Sequence, residues 1–176
     1  MITRKLTYFV ACSLDGYIAG PGGAIDWLFT DQDYGYAAFY ATVDTLLMGR
    51  NTYDLCMKFG EYPYPNKTAF VFSRTLVSSP RSEVIVTSED PGTFAMGLKR
   101  EPGGTIWLVG GSQLARQLWE ADQIDELFVS IHPITLGDGL PLMPRGTFSR
   151  RKWKLKGSTA HATGLLQAIY ARARDH

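Results

Sequence analysis

Three predicted strands of this sequence end at a glycine or a serine that polar residues follow. They cover residues 44–48, 67–73 and 105–109, and strongly apolar stretches fill their C-terminal halves. Apolar strands that alternate with helical patterns are typical of a parallel sheet that helices cover. Because the carboxyl ends of parallel strands share one edge of a sheet, we expect the three strand ends to lie close together.

The remaining hydrophobic pattern extends this alternation and then departs from it. Further strands are predicted at residues 5–12, 83–87, 126–132, 152–156 and 165–173. Helices are predicted at residues 33–42 and 51–59, after a cap at Ser88, and along the apolar stripe of Leu114, Ala115, Leu118 and Trp119. Three strands in succession at the C-terminus favour an antiparallel edge on a mostly parallel α/β sheet. With no linker or repeat, residues 1–176 are predicted to form one domain.

The three strand ends have the residues that an anion site needs. Glycine lets the backbone approach a ligand closely, a helix N-terminus presents unpaired N–H groups, and arginine adds a fixed positive charge. The candidate binding residues are Gly49, Arg50, Asn51, Thr52, Ser73, Arg74, Gly110, Gly111, Ser112 and Gln113. The alternative is that the glycines only form tight turns. The common dinucleotide and nucleotide motifs, G-x-G-x-x-G and G-x-x-x-x-G-K-[ST], are absent.

The composition of the chain limits the kinds of partner that we expect for it. Hydrophobic residues make up 45% and charged residues 20%, and the net charge is +1, so neither nucleic acid nor a membrane is expected as a partner. The N-terminal residues enter a strand pattern directly, which favours a cytoplasmic location. Cys12 and Cys56 are expected to be buried, reduced thiols. His132, His161 and His176 lack metal-ligand spacing, so no metal site is expected.

Five short motifs together resemble one superfamily. SLDGYIA at residues 13–19 is similar to the S-x-D-G-x-I-A opening of riboflavin-type reductases, and PITLGDG at 133–139 to their P-x-x-x-G-x-G segment. MGRNTY at 48–53, the Ser73-Arg74 pair and the Gly110-Gly111 turn resemble the cofactor-binding turns of dihydrofolate reductases. The chain therefore resembles the dihydrofolate-reductase-like superfamily, and most closely the reductase domain of the bifunctional riboflavin-biosynthesis deaminase-reductase and its stand-alone bacterial relatives.

The resemblance implies a three-layer α/β fold with helices on both faces of the sheet, a homodimer, and NADPH as the cofactor. NADPH is favoured over NADH because Arg50 and Arg74 can pair with the additional phosphate. Asp15 and Asp33 are implied as catalytic residues, with Asp31 and then Asp26 as alternatives to Asp33. Asp15 has the competing interpretation of an Asx turn, and Asp33 that of a favourable charge at a helix start.

The acceptor of the hydride is less closely defined. Ser13, Asp26 and Trp27 are candidate substrate-binding residues, although Trp27 has the alternative of covering the core. The first choice of substrate is the phosphoribosylamino-pyrimidine intermediate of riboflavin biosynthesis, and dihydrofolate is the runner-up. A hypothesis of another class is a regulatory module that binds NADPH without turnover.

Overall fold

The computed structural model describes residues 4–143, 146 and 150–174, which form ten strands, four α-helices and a short 3-10 turn at Pro21–Gly23. The strands are β1 (Leu6–Ser13), β2 (Tyr17–Ala19), β3 (Val43–Gly49), β4 (Thr68–Phe72), β5 (Val84–Thr87), β6 (Thr105–Gly110), β7 (Glu126–His132), β8 (Leu140–Pro141), β9 (Lys152–Ala160) and β10 (Leu166–Ala173). The helices are α1 (Tyr36–Thr42), α2 (Arg50–Cys56), α3 (Pro91–Leu98) and α4 (Ser112–Glu120).

Eight strands form the central sheet, in the order β5-β4-β3-β6-β1-β7-β10-β9. The ladders from β5 to β7 are parallel, whereas β10 is antiparallel to both β7 and β9. This arrangement confirms the prediction of a mostly parallel sheet with an antiparallel C-terminal edge. The remaining strands, β2 and β8, pair with each other in a small antiparallel ladder.

Side chains of the central strands alternate between two hydrophobic cores, one on each face of the sheet. On β3, Leu47 belongs to the core that α3 and α4 cover, whereas its neighbours Leu46 and Met48 belong to the core beneath α2. All three side chains are fully buried, and each such burial contributes about 1.5–3 kcal/mol relative to exposure. Helices therefore lie on both faces, as predicted.

Aromatic packing holds α1 on its face of the sheet. The rings of Phe39 and Tyr36 lie 5.5 Å and 6.0 Å from that of Trp107 on β6, and Phe39 also stacks on Phe9 of β1 at 4.2 Å. This arrangement identifies the aromatic residues of α1 as packing residues. Cys12 and Cys56 are buried free thiols, as predicted, and burial raises the pKa of Cys12 to about 11.

Three predicted helix boundaries were wrong. The first helix begins at Tyr36 instead of residue 33, because Gly35 takes a left-handed conformation with φ of 79°. The second ends at Cys56 instead of residue 59. Phe59 is 51% exposed, so it adds little packing that would stabilise a longer helix. The third is capped by Asp90 and not by Ser88. Pro91 occupies the first turn and places Asp90 where its carboxylate accepts the Thr93 N–H at 2.9 Å.

The edge strand β9 is held to the sheet by its pairing with β10 and by contacts to α4. The rings of Trp153 on β9 and Trp119 on α4 stack at 5.8 Å, and the Arg151 guanidinium lies 5.0 Å from the Trp119 ring. Lys152, Lys154 and Lys156 are exposed, as expected for a solvated strand face, although Leu155 between them is also 52% exposed. None of the helices in the described part of the chain has the length and apolar character needed to cross a bilayer.

Candidate functional site

A cavity of about 860 Å³ lies at the carboxyl ends of β3, β4, β5 and β6. Eight of the ten predicted binding residues line it: Gly49, Arg50, Asn51, Ser73, Arg74, Gly111, Ser112 and Gln113. The other two, Thr52 and Gly110, lie next to the lining residues. The Thr52 hydroxyl lies 3.7 Å from the position of a Cβ at Gly111 and 3.8 Å from that of a Cβ at Gly110. The three strand ends identified in the sequence therefore meet at one cavity.

The backbones of β3 and β6 approach each other closely at the floor of this cavity. The register of the β3–β6 ladder shifts between Leu47 and Met48, just before the strands end. Gly111 follows with φ of 102°, and a Cβ there would lie 3.2 Å from Gly49 Cα and 3.4 Å from Gly49 N. A side chain at position 111 would therefore be both strained and crowded, so the close approach depends on glycine.

Two helices begin at this floor without a side-chain cap. Gly111 is the N-cap of α4 and Gly49 is the N-cap of α2, and neither helix has a side-chain hydrogen bond at its N-terminus. The first N–H groups of α4 belong to Ser112 and Gln113, which both line the cavity. Free N–H groups and the positive end of the helix dipole make this floor suitable for an anion such as a phosphate.

Charged groups of both signs surround the cavity. The Arg50 Nε donates to both carboxylate oxygens of Asp54 at 2.7 Å. Arg74 is exposed at the end of β4. Glu89 and Asp90 contribute carboxylates to the wall, and hydrogen bonds from the Thr93 N–H and hydroxyl lower the pKa of Asp90. The positive charges therefore come from α2 and the end of β4, and the negative charges from the loop after β5.

One wall of the cavity is formed by the loop after β5, which the sequence patterns did not predict to be part of the site. Its residues are Thr87, Ser88, Glu89, Asp90 and Pro91, and Thr75 and Gln117 were missed elsewhere in the lining. The strand at 83–87 was predicted, and its parallel pairing with β4 puts its carboxyl end on the edge of the sheet that holds the cavity. The parallel position of this strand was therefore the feature that could have predicted the wall, because the loop itself contains no glycine or arginine.

The candidate catalytic and substrate-binding residues lie outside this cavity. Ser13, Asp15, Asp26, Trp27 and Asp33 are all absent from its lining. Ser13 ends β1, in register with His132 at the end of β7, on the same edge of the sheet. The structure therefore separates the residues expected to bind a cofactor from those expected to bind an acceptor.

Asp15 is bound by three donors. Its carboxylate accepts the Ser13 hydroxyl at 2.6 Å and the N–H groups of Gly137 at 2.7 Å and Leu136 at 3.1 Å. The hydrogen bonds from Ser13, Gly137 and Leu136 lower the pKa of Asp15 to about 2. Asp15 is therefore an anion at neutral pH.

Trp27 packs against a buried histidine. The rings of Trp27 and His132 lie 5.3 Å apart, and the Phe29 N–H donates to His132 Nε2 at 3.1 Å. His132 is 4% exposed, and this burial lowers its pKa. Because Nε2 accepts this hydrogen bond, the imidazole ring is neutral and carries its proton on Nδ1, which faces the Ser130 carbonyl at 3.3 Å.

The acidic candidates around α1 have mostly local partners. The Asp33 carboxylate accepts the Ala37 N–H at 3.1 Å, and Asp31 accepts the Tyr34 hydroxyl at 2.8 Å. Asp26 is exposed. In the described residues, no group of three or more His, Cys, Asp and Glu side chains is arranged to hold a metal ion.

The fold resembles those of known proteins. The solved structure of a dihydrofolate reductase from Enterococcus faecalis, complexed with NADP(H), matches with a TM-score of 0.69 at 20% identity, covering 97% of each chain. A putative riboflavin biosynthesis protein from Shewanella sp. PV-4 matches with a TM-score of 0.85 at 30% identity, covering 97% of this chain and all of its own. The uncharacterized protein YwjB of Bacillus subtilis is 37% identical over 97% of this chain and 99% of its own length.

Sheet order and the covering of both faces by helices define a dihydrofolate-reductase-like fold, as the sequence motifs predicted. Among families with this fold, the profile of the RibD C-terminal domain matches residues 4–167. The chain belongs to the RibD C-terminal domain family.

Proposed function

We propose that this protein is an NADPH-dependent reductase that transfers hydride to a small heterocyclic or ribosylamino substrate. The observation that carries this proposal is the cavity where the carboxyl ends of β3, β4, β5 and β6 meet. Its volume of about 860 Å³ lies within the usual range for ligand pockets, about 300–1,000 Å³. NADP(H) in the similarly folded dihydrofolate reductase of Enterococcus faecalis supports the choice of cofactor.

The residues of the cavity fit a dinucleotide phosphate ligand. At the close approach of Gly49 and Gly111 neither residue puts a side chain into the cavity, and the α4 N-terminus beside them favours the pyrophosphate. Arg74, which lines the cavity, would pair with the additional phosphate of NADPH. In the described residues the hydrogen bonds of the Arg50 side chain come from Nε, so its terminal amino groups can make a second contact.

NADPH supplies the hydride, and the protein residues position the two reactants. Asp33, with Asp31 and Asp26 as alternatives, is our candidate for the group that holds the acceptor and supplies a proton. The Asp33 carboxylate is exposed, and its hydrogen bonds go to the N–H of Ala37. Ser13 and Trp27 would border the acceptor at the ends of β1 and β7.

The first-choice reaction is reduction of the phosphoribosylamino-pyrimidine intermediate of riboflavin biosynthesis. The family profile and the name of the Shewanella protein support this choice. Dihydrofolate reduction is the alternative reaction, and a regulatory module that binds NADPH without turnover is the alternative of another class. We also propose a cytoplasmic homodimer, for which the exposed Leu155 and Leu166 of β9 and β10 offer an apolar contact.

The cofactor part of the proposal is tested by measuring NADPH and NADH binding to the wild type, Arg74→Ala and Arg100→Ala. Arg100 is the matched control, because it is exposed and follows the opposite end of α3 from the cavity. Loss of a charged phosphate contact should weaken NADPH binding about 10-fold or more, with little change for NADH. Equal affinity of the wild type for both cofactors would contradict the NADPH assignment.

The catalytic part is tested by oxidation of NADPH with pyrimidine, pterin or imine acceptors. Steady turnover with the phosphoribosylamino-pyrimidine supports the first-choice reaction, and turnover with dihydrofolate supports the alternative. Tight NADPH binding with no turnover of any acceptor favours the regulatory module.

A further inference from the structure

The two riboflavin-type motifs of the sequence meet at one side chain. Asp15 belongs to the first motif, at residues 13–19, and the two N–H groups that it accepts belong to Leu136 and Gly137 of the second, at 133–139. These partners are 121 and 122 residues away in the chain. The carboxylate therefore joins the loop that follows β1 to the loop that follows β7.

Backbone contacts continue this junction into one unit. The Leu14 N–H donates to the Ile134 carbonyl at 2.7 Å, and the Leu142 N–H to the Gly16 carbonyl at 2.8 Å. Next to the second of these bonds, β2 pairs with β8. We call the paired segments, residues 14–20 and 133–142, the two-loop flap.

The flap is tightly closed at its far end. Gly139 has φ of 141°, and a Cβ there would lie 2.0 Å from the Ala19 carbonyl oxygen. Its root lies at the ends of β1 and β7, where Ser13 and His132 are in register. The flap therefore rises from the edge of the sheet that also holds the cavity, but from different strands.

An ionised carboxylate suits this junction. Two neighbouring N–H groups and the Ser13 hydroxyl all donate to Asp15, and Ser13 itself accepts the Tyr17 N–H at 3.0 Å. A protonated or amide side chain would bring a hydrogen towards these donors. A general acid works best with a pKa near the working pH, whereas the pKa of Asp15 is about 2.

We infer that Asp15 is a positioning residue that locks the two loops into one flap beside the acceptor, and that it is not the proton donor. The inference about the flap depends only on the contacts of Asp15. Its kinetic consequence rests on the proposed reductase function. With the lock removed, the flap no longer holds the acceptor in place, while the cofactor cavity is unchanged.

The lock is tested by hydrogen exchange of the segment 133–140 in the wild type, Asp15→Ala, Asp15→Asn and Asp138→Asn. Asp138 is the matched control in the same loop, since within the described part of the chain its carboxylate accepts a hydrogen bond from the adjacent Gly139 N–H, at 2.8 Å, and none from the loop after β1. Exchange should accelerate at least 10-fold in Asp15→Ala, less in Asp15→Asn, and remain near the wild-type rate in the control. Unchanged exchange in Asp15→Ala overturns the inference.

Kinetics provide the second measurement. In both Asp15 variants the KM for the acceptor should rise about 10-fold or more, while the NADPH affinity and the shape of the pH profile of kcat stay the same. If Asp15→Asn retains slow exchange but loses kcat more than 100-fold together with one limb of the pH profile, Asp15 is the proton donor and the inference is wrong. If no acceptor is reduced by the wild type, the proposed function fails, and the exchange rates still decide whether the lock exists.

Discussion

Replacing Gly111 by alanine should both destabilise the protein and change the shape of the cavity where β3 and β6 approach each other. The new side chain must adopt φ near 102° and place its Cβ 3.2 Å from Gly49 Cα. A non-glycine residue in a sparsely populated backbone region costs about 1–3 kcal/mol, and crowding against backbone atoms that cannot rotate away adds about 1 kcal/mol. The total of about 2–4 kcal/mol corresponds to a decrease in Tm of roughly 4–16 °C for a chain of this size.

Gly35→Ala separates strain from crowding. Gly35 also has a positive φ, 79°, but a Cβ there would meet nothing within 4 Å. The cost should therefore be about 1–2 kcal/mol, from the left-handed conformation alone. Thermal unfolding measures both variants, and NADPH titration should show weaker binding in Gly111→Ala only. A Tm of Gly111→Ala within a degree of the wild type, with unchanged NADPH affinity, would refute the reasoning from the Gly49–Gly111 approach.

Two further predictions concern His132 and Trp153. Burial depresses the pKa of His132 below its ordinary 6.5, so the unfolded protein binds the proton first and stability should fall as the pH decreases below about 6.5. Urea unfolding between pH 5 and pH 8 measures this slope, which should be smaller in His132→Asn; an identical slope would exclude His132 as its source. Trp153→Ala removes the stacking on Trp119 and should cost about 1–3 kcal/mol, whereas Trp153→Phe should retain most of it. Equal melting temperatures of the two variants would contradict this role of the stacked pair.

The sheet and the cavity could be predicted from sequence for a common reason. Apolar strands such as 44–48 have few alternatives to a buried parallel sheet, and parallel strands bring Gly49, Ser73 and Gly111 to one edge without any knowledge of distant contacts. Helix ends were less predictable. The start of α1 depends on the left-handed Gly35, and the cap of α3 on the position of Pro91 relative to Asp90.

The partners of Asp15 could not be predicted in this way. Its main-chain donors lie more than 100 residues away, and no local pattern specifies which N–H groups a loop carboxylate will meet. The motif that contains Asp15 and the motif that contains Gly137 were both recognised, but their contact depends on the pairing of β1 with β7. The same limit applies to Trp27, whose neighbour His132 lies more than 100 residues away in the chain.

The separation of the cavity from the two-loop flap has a consequence for how such proteins diverge. The cavity residues come from residues 49–117, whereas the flap comes from 14–20 and 133–142, on either side of that segment in the chain. Under the proposed function, substitutions in the flap can therefore reshape the space for an acceptor without touching a residue of the cavity lining. If the cavity holds the cofactor as proposed, a family with this division can keep one cofactor site through many changes of substrate.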